Sequence, residues 1–121
     1  MNILAHDPKQ DQLRRIPLFA KLPRRELKLL ARTADLVDVP AGTELIREGE
    51  TGREFFAIAE GEVEIWQGGK PIATEQAGDF FGEIALLHDV PRTATVTAKT
   101  PTRLFVLTAP AFRGLLAERF V

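Results

Sequence analysis

The pattern of apolar and polar positions changes period at Leu36. Ahead of it the period is helical: Leu27, Leu30, Ala31 and Ala34 fall at i, i+3, i+4 and i+7, with Arg24, Arg25, Lys28 and Arg32 on the other faces. A single apolar stripe on a charged segment predicts an amphipathic helix, and Pro23 suits its first turn. The basic residues read as its solvated face. Upstream, Ile16-Pro17-Leu18-Phe19 sets three large apolar side chains around a proline, a plug against the body of the domain. Residues 1–12 are polar and aperiodic apart from Ile3 and Leu4, and read as a poorly fixed arm or a loose helical lead-in.

Beyond Leu36 the segments are short and β-rich. Residues 36–39, 43–47, 55–59, 62–67, 71–75, 94–98 and 103–108 read as strands, with Gly42, Gly49, Gly52, Gly61, Gly68-Gly69 and Gly78 between them. Val63 and Ile65 alternate with Glu62, Glu64 and Trp66, and Val96 and Ala98 alternate with Thr95 and Thr97. That period of two marks strands with one buried face. Gly49, Gly52 and Gly61 read as turn residues that need a positive φ. Phe55-Phe56 and Phe80-Phe81 read as core anchors, and Trp66 as a residue on the rim of a sheet. Ala109-Pro110 restarts a helix whose Phe112, Leu115, Leu116 and Phe120 share one face. The predicted fold is therefore mainly β with flanking helices: an antiparallel β-barrel or jelly roll of about eight short strands.

Length and charge narrow the choice. A chain of 121 residues holds one domain with a real core, divided here into an arm, 1–15, and a domain, 16–121. Sixteen Lys and Arg against seventeen Asp and Glu leave a net charge of −1 with no block of one sign, so no nucleic-acid or membrane partner is expected. After residue 96 there is no room for a helix-turn-helix, which argues against a complete transcription factor. Cysteine is absent, which excludes disulfides, thiolate metal sites and a cysteine nucleophile and fits a cytoplasmic location. No apolar run approaches the roughly 20 residues that span a bilayer. An enzyme built on such a barrel around a metal needs clustered His and carboxylate ligands. His6 and His88 stand far apart, so neither a metal nor an enzymatic role is expected.

The candidate chemistry lies between Gly78 and Val96. Glu83 opens an apolar run, Ile84 to Leu87, which predicts one or two helical turns with free N–H groups at their start, a place for an anion. Pro91 fixes the backbone after it, and Arg92 brings a fork of donors that matches phosphate oxygens in pairs. Glu83 adds a carboxylate able to accept from hydroxyls such as those of a ribose. Taken singly, Arg92 is an ordinary surface arginine and Glu83 a first-turn glutamate. Their joint spacing is what carries the functional reading.

Phe81-Gly82-Glu83-Ile84-Ala85-Leu86 and, after residues 87–90, Pro91-Arg92-Thr93-Ala94-Thr95-Val96 together resemble the phosphate-binding cassette of cyclic nucleotide-binding domains. The opening Ile16-Pro17-Leu18-Phe19 and the helix after it resemble the helical subdomain of the same family. The resemblance implies that Arg92 pairs with the exocyclic oxygens of a cyclic phosphate and that Glu83 accepts the ribose 2′-hydroxyl. It also implies that the N–H groups of Ala85 and Thr93 complete the cradle and that Gly82 passes beside the sugar. Gly82, Glu83, Ile84, Ala85, Arg92, Thr93 and Ala94 form the expected ligand-binding set. In the family the turn matching Gly49 and Gly52 also lies close to the site, and the leucine matching Leu86 moves when ligand binds.

The function this implies is a sensor that binds cAMP in preference to cGMP, needs no cofactor beyond that ligand, and signals through its flanking helices. Thr93 leaves cGMP open, because a hydroxyl there bonds guanine in some kinases. The partner implied is an effector domain, another protein or a second copy of the chain. Family members continue into a helix that closes over the base. With only Val121 after Phe120, that lid is expected from the arm, a second subunit or a longer protein. The alternative is an interaction domain that keeps the fold without the ligand.

Overall fold

The structure, a computed structural model, describes residues 8–120. Residues 1–7, the first part of the segment read as an arm, lie outside the described residues. Three short helices come first: α1 (Pro8–Arg14), α2 (Pro17–Ala20) and α3 (Arg24–Thr33). Pro23 stands one place before α3 as its N-cap, and Leu27, Leu30 and Ala31 are the buried face that the sequence pattern predicts. Helix α1 carries Leu13, which has no exposure, into the core, and Lys9 donates to the Ala34 carbonyl at 2.5 Å, fastening α1 to the end of α3. Proline at the first turn starts α2 and aims Ile16 and Phe19, each 1% exposed, into the same core.

Eight strands follow: β1 (Asp35–Val39), β2 (Glu44–Ile46), β3 (Glu54–Glu60), β4 (Glu62–Gln67), β5 (Lys70–Gln76), β6 (Phe80–Phe81), β7 (Thr95–Ala98) and β8 (Thr102–Thr108). They form two antiparallel four-stranded sheets, ordered β1-β8-β3-β6 and β2-β7-β4-β5. This is the predicted jelly-roll type of architecture. Strand β6 was not expected from the sequence, since two residues carry no period. It exists because Phe81 and Phe80 pair with Phe56 and Ala57 on β3. Trp66 is half-buried, and its indole N–H donates to Thr97 Oγ1 of β7 at 3.2 Å.

Between β6 and β7 the chain forms α4 (Glu83–His88), and after β8 it forms α5 (Ala109–Leu115). The Thr108 hydroxyl caps α5 by accepting the Ala111 N–H at 3.3 Å. The single C-terminal helix expected to carry Phe120 is instead two pieces. Helix α5 stops at Leu115, and one 3-10 turn, Ala117–Phe120, follows; Leu116 between them is fully buried. Among the described residues no helix is long and apolar enough to cross a membrane.

Burial explains why the layers stack this way. Strand β3 is buried on both faces, so its period-two alternation feeds two cores. Phe55 and Ala57, with Phe105 and Leu107 of β8, pack against the helices through Leu13, Phe19, Leu30 and Phe112. Phe56 and Ile58, with Leu104, turn the other way and meet Ile46, Val63, Phe81 and Val96 in the space between the sheets. Phe55 stacks on Phe112 at 4.8 Å and Phe80 meets the edge of Phe120 at 5.5 Å, so aromatic contacts join the first sheet to the C-terminal helix.

Phe112 has no exposure and sits where α5 meets β3. Phe112→Ala is expected to destabilise the domain by about 3–5 kcal/mol in urea unfolding, whereas Ile72→Ala, on the exposed edge strand, is expected to stay within about 0.5 kcal/mol.

Candidate ligand-binding site

The site begins with Gly82, which ends β6 and is the N-cap of α4 with φ 94°. That left-handed turn favours glycine, and space demands it as well. A Cβ at Gly82 would lie 3.1 Å from both Arg92 Nη1 and the Glu54 carbonyl oxygen. Arg92 comes from the loop after α4 and folds back beneath the helix start. Its N–H donates to the Glu50 carbonyl and its carbonyl accepts the Gly49 N–H, both at 2.8 Å, which fixes the loop against the turn between β2 and β3.

The Arg92 side chain is only 7% exposed. Nη1 donates to the Gly82 carbonyl at 2.8 Å and Nη2 to the Glu54 carbonyl at 2.6 Å. These bonds orient the guanidinium and leave its charge in place. Burial draws its pKa below the usual arginine range, while the carboxylates of Glu54 and Glu83 act in the opposite sense. Beneath it lies Gly52. A Cβ there would stand 2.8 Å from Ala85 Cβ and 3.2 Å from Arg92 Cζ and Nε. Gly52 was expected to need a positive φ, and it does not: Gly49 and Gly61 have one, Gly52 is absent from that set. What it supplies is room.

A cavity of about 160 Å³ opens over this floor. Gly82, Glu83, Ile84, Ala85, Arg92, Thr93 and Ala94 all line it, so the seven residues expected from the sequence are brought together. Thr93 is exposed and its carbonyl accepts Gln67 Nε2 at 2.9 Å. Ile46, Ile65, Phe81 and Val96 give the cavity an apolar wall from the inter-sheet core. The arrangement offers an oriented cation, a hydroxyl acceptor at Glu83 and an apolar slot, in one place. Among the described residues no group of three or more metal-ligating side chains is brought together.

One lining residue was read from the sequence only as part of a strand. Glu75 of β5 is half-buried, and its Oε1 is sealed from solvent with no hydrogen-bond partner. Burial first, then the nearby charges of Asp79 and Glu83, raise its pKa to about 7. The signal that finds it is register: Glu75 stands opposite Val63, which is fully buried, so both lie on the inner face.

Comparison with known proteins assigns this arrangement. The sequence model of the cyclic nucleotide-binding domain matches residues 36–119. The chain belongs to that family. Among curated relatives, the cAMP-dependent protein kinase regulatory subunit of Yarrowia lipolytica is 41% identical over 106 residues, covering 86% of this chain and 28% of that protein. The domain thus spans about a quarter of the length of the curated relatives it matches. Among solved structures, the regulatory domain of Toxoplasma gondii protein kinase A with cAMP superposes with a TM-score of 0.84 at 30% identity, over 94% of this chain and 47% of that one. The regulatory subunit of a cAMP-independent protein kinase A from Trypanosoma brucei also scores 0.84, at 28% identity, over 88% and 39%. Both show the two-sheet fold with flanking helices that this cyclic nucleotide-binding domain adopts.

The raised pKa of Glu75 makes stability depend on pH with a definite sign. Below about pH 4.5 folded and unfolded chains both hold the proton; between there and about pH 7 only the folded chain does. Stability from this group therefore falls as pH rises through that window. Relative to Glu75→Gln, the unliganded wild-type domain is expected to lose about 1–3 kcal/mol between pH 4.5 and pH 8 in urea unfolding. Parallel pH profiles would show that Glu75 titrates normally.

Proposed function

We propose that this domain is a sensor that binds a cyclic purine nucleotide, cAMP in preference to cGMP, and transmits the event through its flanking helices. The observation that carries the reading is the Arg92 guanidinium, buried, oriented by two carbonyls and lining a cavity whose opposite chemistry is Glu83. In this reading Arg92 pairs with the cyclic phosphate, Glu83 accepts the ribose 2′-hydroxyl, and the N–H groups of Ala85 and Thr93 complete the cradle. Gly82 passes beside the sugar, and Ile84 and Ala94 flank it. The ligand is held without a cofactor and without covalent chemistry.

The route out of the site runs along α4. Ala85 lines the cavity, while its neighbour Leu86 belongs to the helical core with Phe112 and Leu116, and Arg113 of α5 donates to the Leu86 carbonyl at 3.5 Å. Inward movement of the cassette would shift Leu86 and α5 together, as a change between two arrangements. The fungal relatives named regulatory subunits support a cytoplasmic role upon an effector, whether a linked domain or another protein. A second reading, an interaction domain without the ligand, is favoured by the Trypanosoma relative, which has the same fold and is described as part of a cAMP-independent kinase.

Titration calorimetry with cAMP and cGMP separates the two. Micromolar binding corresponds to about −8 kcal/mol, and loss of a charge-assisted partner costs on the order of 2–3 kcal/mol. Arg92→Ala is thus expected to weaken binding about 30- to 150-fold. Because Arg92 also holds two carbonyls, Glu83→Gln serves as a second variant and is expected to weaken binding with the thermal midpoint preserved. Wild-type affinity in both variants would remove these residues from the site, and no heat with either nucleotide would favour the interaction domain.

A further inference from the structure

We propose that Glu75 reads the base of the bound nucleotide, as a neutral carboxyl group for adenine and as either form for guanine. The inference rests on the cyclic-nucleotide reading above. With Arg92 on the phosphate and Glu83 on the ribose, what remains of the cavity is the apolar wall of Ile46, Ile65, Phe81 and Val96, the surface suited to a heterocycle. Glu75 lines the same cavity, from the strand next to that of Ile65. One of its carboxyl oxygens, Oε1, is buried with no hydrogen-bond partner, so this cavity-lining side chain has bonding capacity left for a ligand donor.

The chemistry of the two purines then decides what Glu75 can do. Adenine presents an amino donor beside a ring-nitrogen acceptor, and its complement is a group with one acceptor and one donor, which a carboxyl group is only when protonated. A carboxylate would face the ring nitrogen lone pair with one of its own. Guanine presents two adjacent donors, a match for the carboxylate, and also an acceptor beside a donor, a match for the neutral acid. Adenine recognition therefore needs the proton, and guanine recognition does not.

The surroundings of Glu75 favour holding that proton. Asp79, in the turn after β5, is a carboxylate fixed by accepting the Gln76 N–H at 2.9 Å; Glu83 faces the cavity from α4. From β4 the neighbours are Val63 and Ile65, which carry no charge. The cation of the cavity, Arg92, is directed to the carbonyls of Gly82 and Glu54. A pKa of about 7 places both forms within reach at neutral pH. Base preference consequently becomes a function of pH, with cAMP losing ground as Glu75 ionises.

The test is titration calorimetry of the whole chain with cAMP and cGMP at pH 6 and pH 8. The dissociation constant for cAMP is expected to rise about tenfold across this range, and that for cGMP to change less than about twofold. Glu75→Gln, whose amide keeps one donor and one acceptor but cannot ionise, is expected to make the cAMP to cGMP ratio independent of pH. Glu75→Leu, which can neither ionise nor hydrogen-bond, is likewise expected to remove the pH dependence of that ratio. A parallel change for both nucleotides, or a ratio whose pH dependence survives in Glu75→Leu, would overturn the assignment while leaving nucleotide binding intact. Failure of both nucleotides to bind at either pH would overturn the underlying reading, and the role of Glu75 with it.

Discussion

A guanidinium withdrawn from water and held by carbonyls is the constraint to which the rest of the cavity answers. Carbonyl dipoles orient Arg92, and the cost of its burial outweighs the favourable charges of Glu54 and Glu83. The fold accepts this group only by clearing space around it, at Gly52 below and Gly82 beside it, and by pinning its backbone to Gly49 and Glu50. The result is a cation held in place by the fold's own backbone. In the proposed reading an anion would meet a guanidinium already fixed in place, with little ordering cost left.

The same segment ties the site to the helices because adjacent residues on a short helix face different cores. Ala85 touches the space under Arg92, and Leu86 sits among the side chains of the helical layer. Strand β3 repeats this division in extended form, with Phe55 on the helical side and Phe56 between the sheets. Two cores that share a strand and a single helical turn cannot shift independently, since close packing transmits displacement.

Much of this was legible in the sequence, for reasons that can be named. The α3 stripe and the alternation in β4 and β7 are periodic, and period survives without knowledge of tertiary contacts. The seven cassette residues are contiguous or nearly so, so their convergence on one cavity required only a short turn and a proline. What escaped depends on distant partners. Strand β6 has no pattern of its own and is made by β3. Gly52 resembles any turn glycine until Ala85 and Arg92 are seen above it. Glu75 was missed as a lining residue because a carboxylate in a strand reads as solvent-facing, and only its pairing with Val63 turns it inward. The break after Leu115 comes just past Gly114 and is marked by no proline, and the buried Leu116 at the break continued the apolar pattern of the helix.

The chain has one tryptophan and no tyrosine. Its near-ultraviolet emission therefore comes from a single indole, and the structure places that indole on the strand behind the cavity, anchored through its N–H to Thr97 beside Val96. The domain carries its own optical probe, fixed to the wall that a base would touch, and needs no dye to show whether that wall has changed.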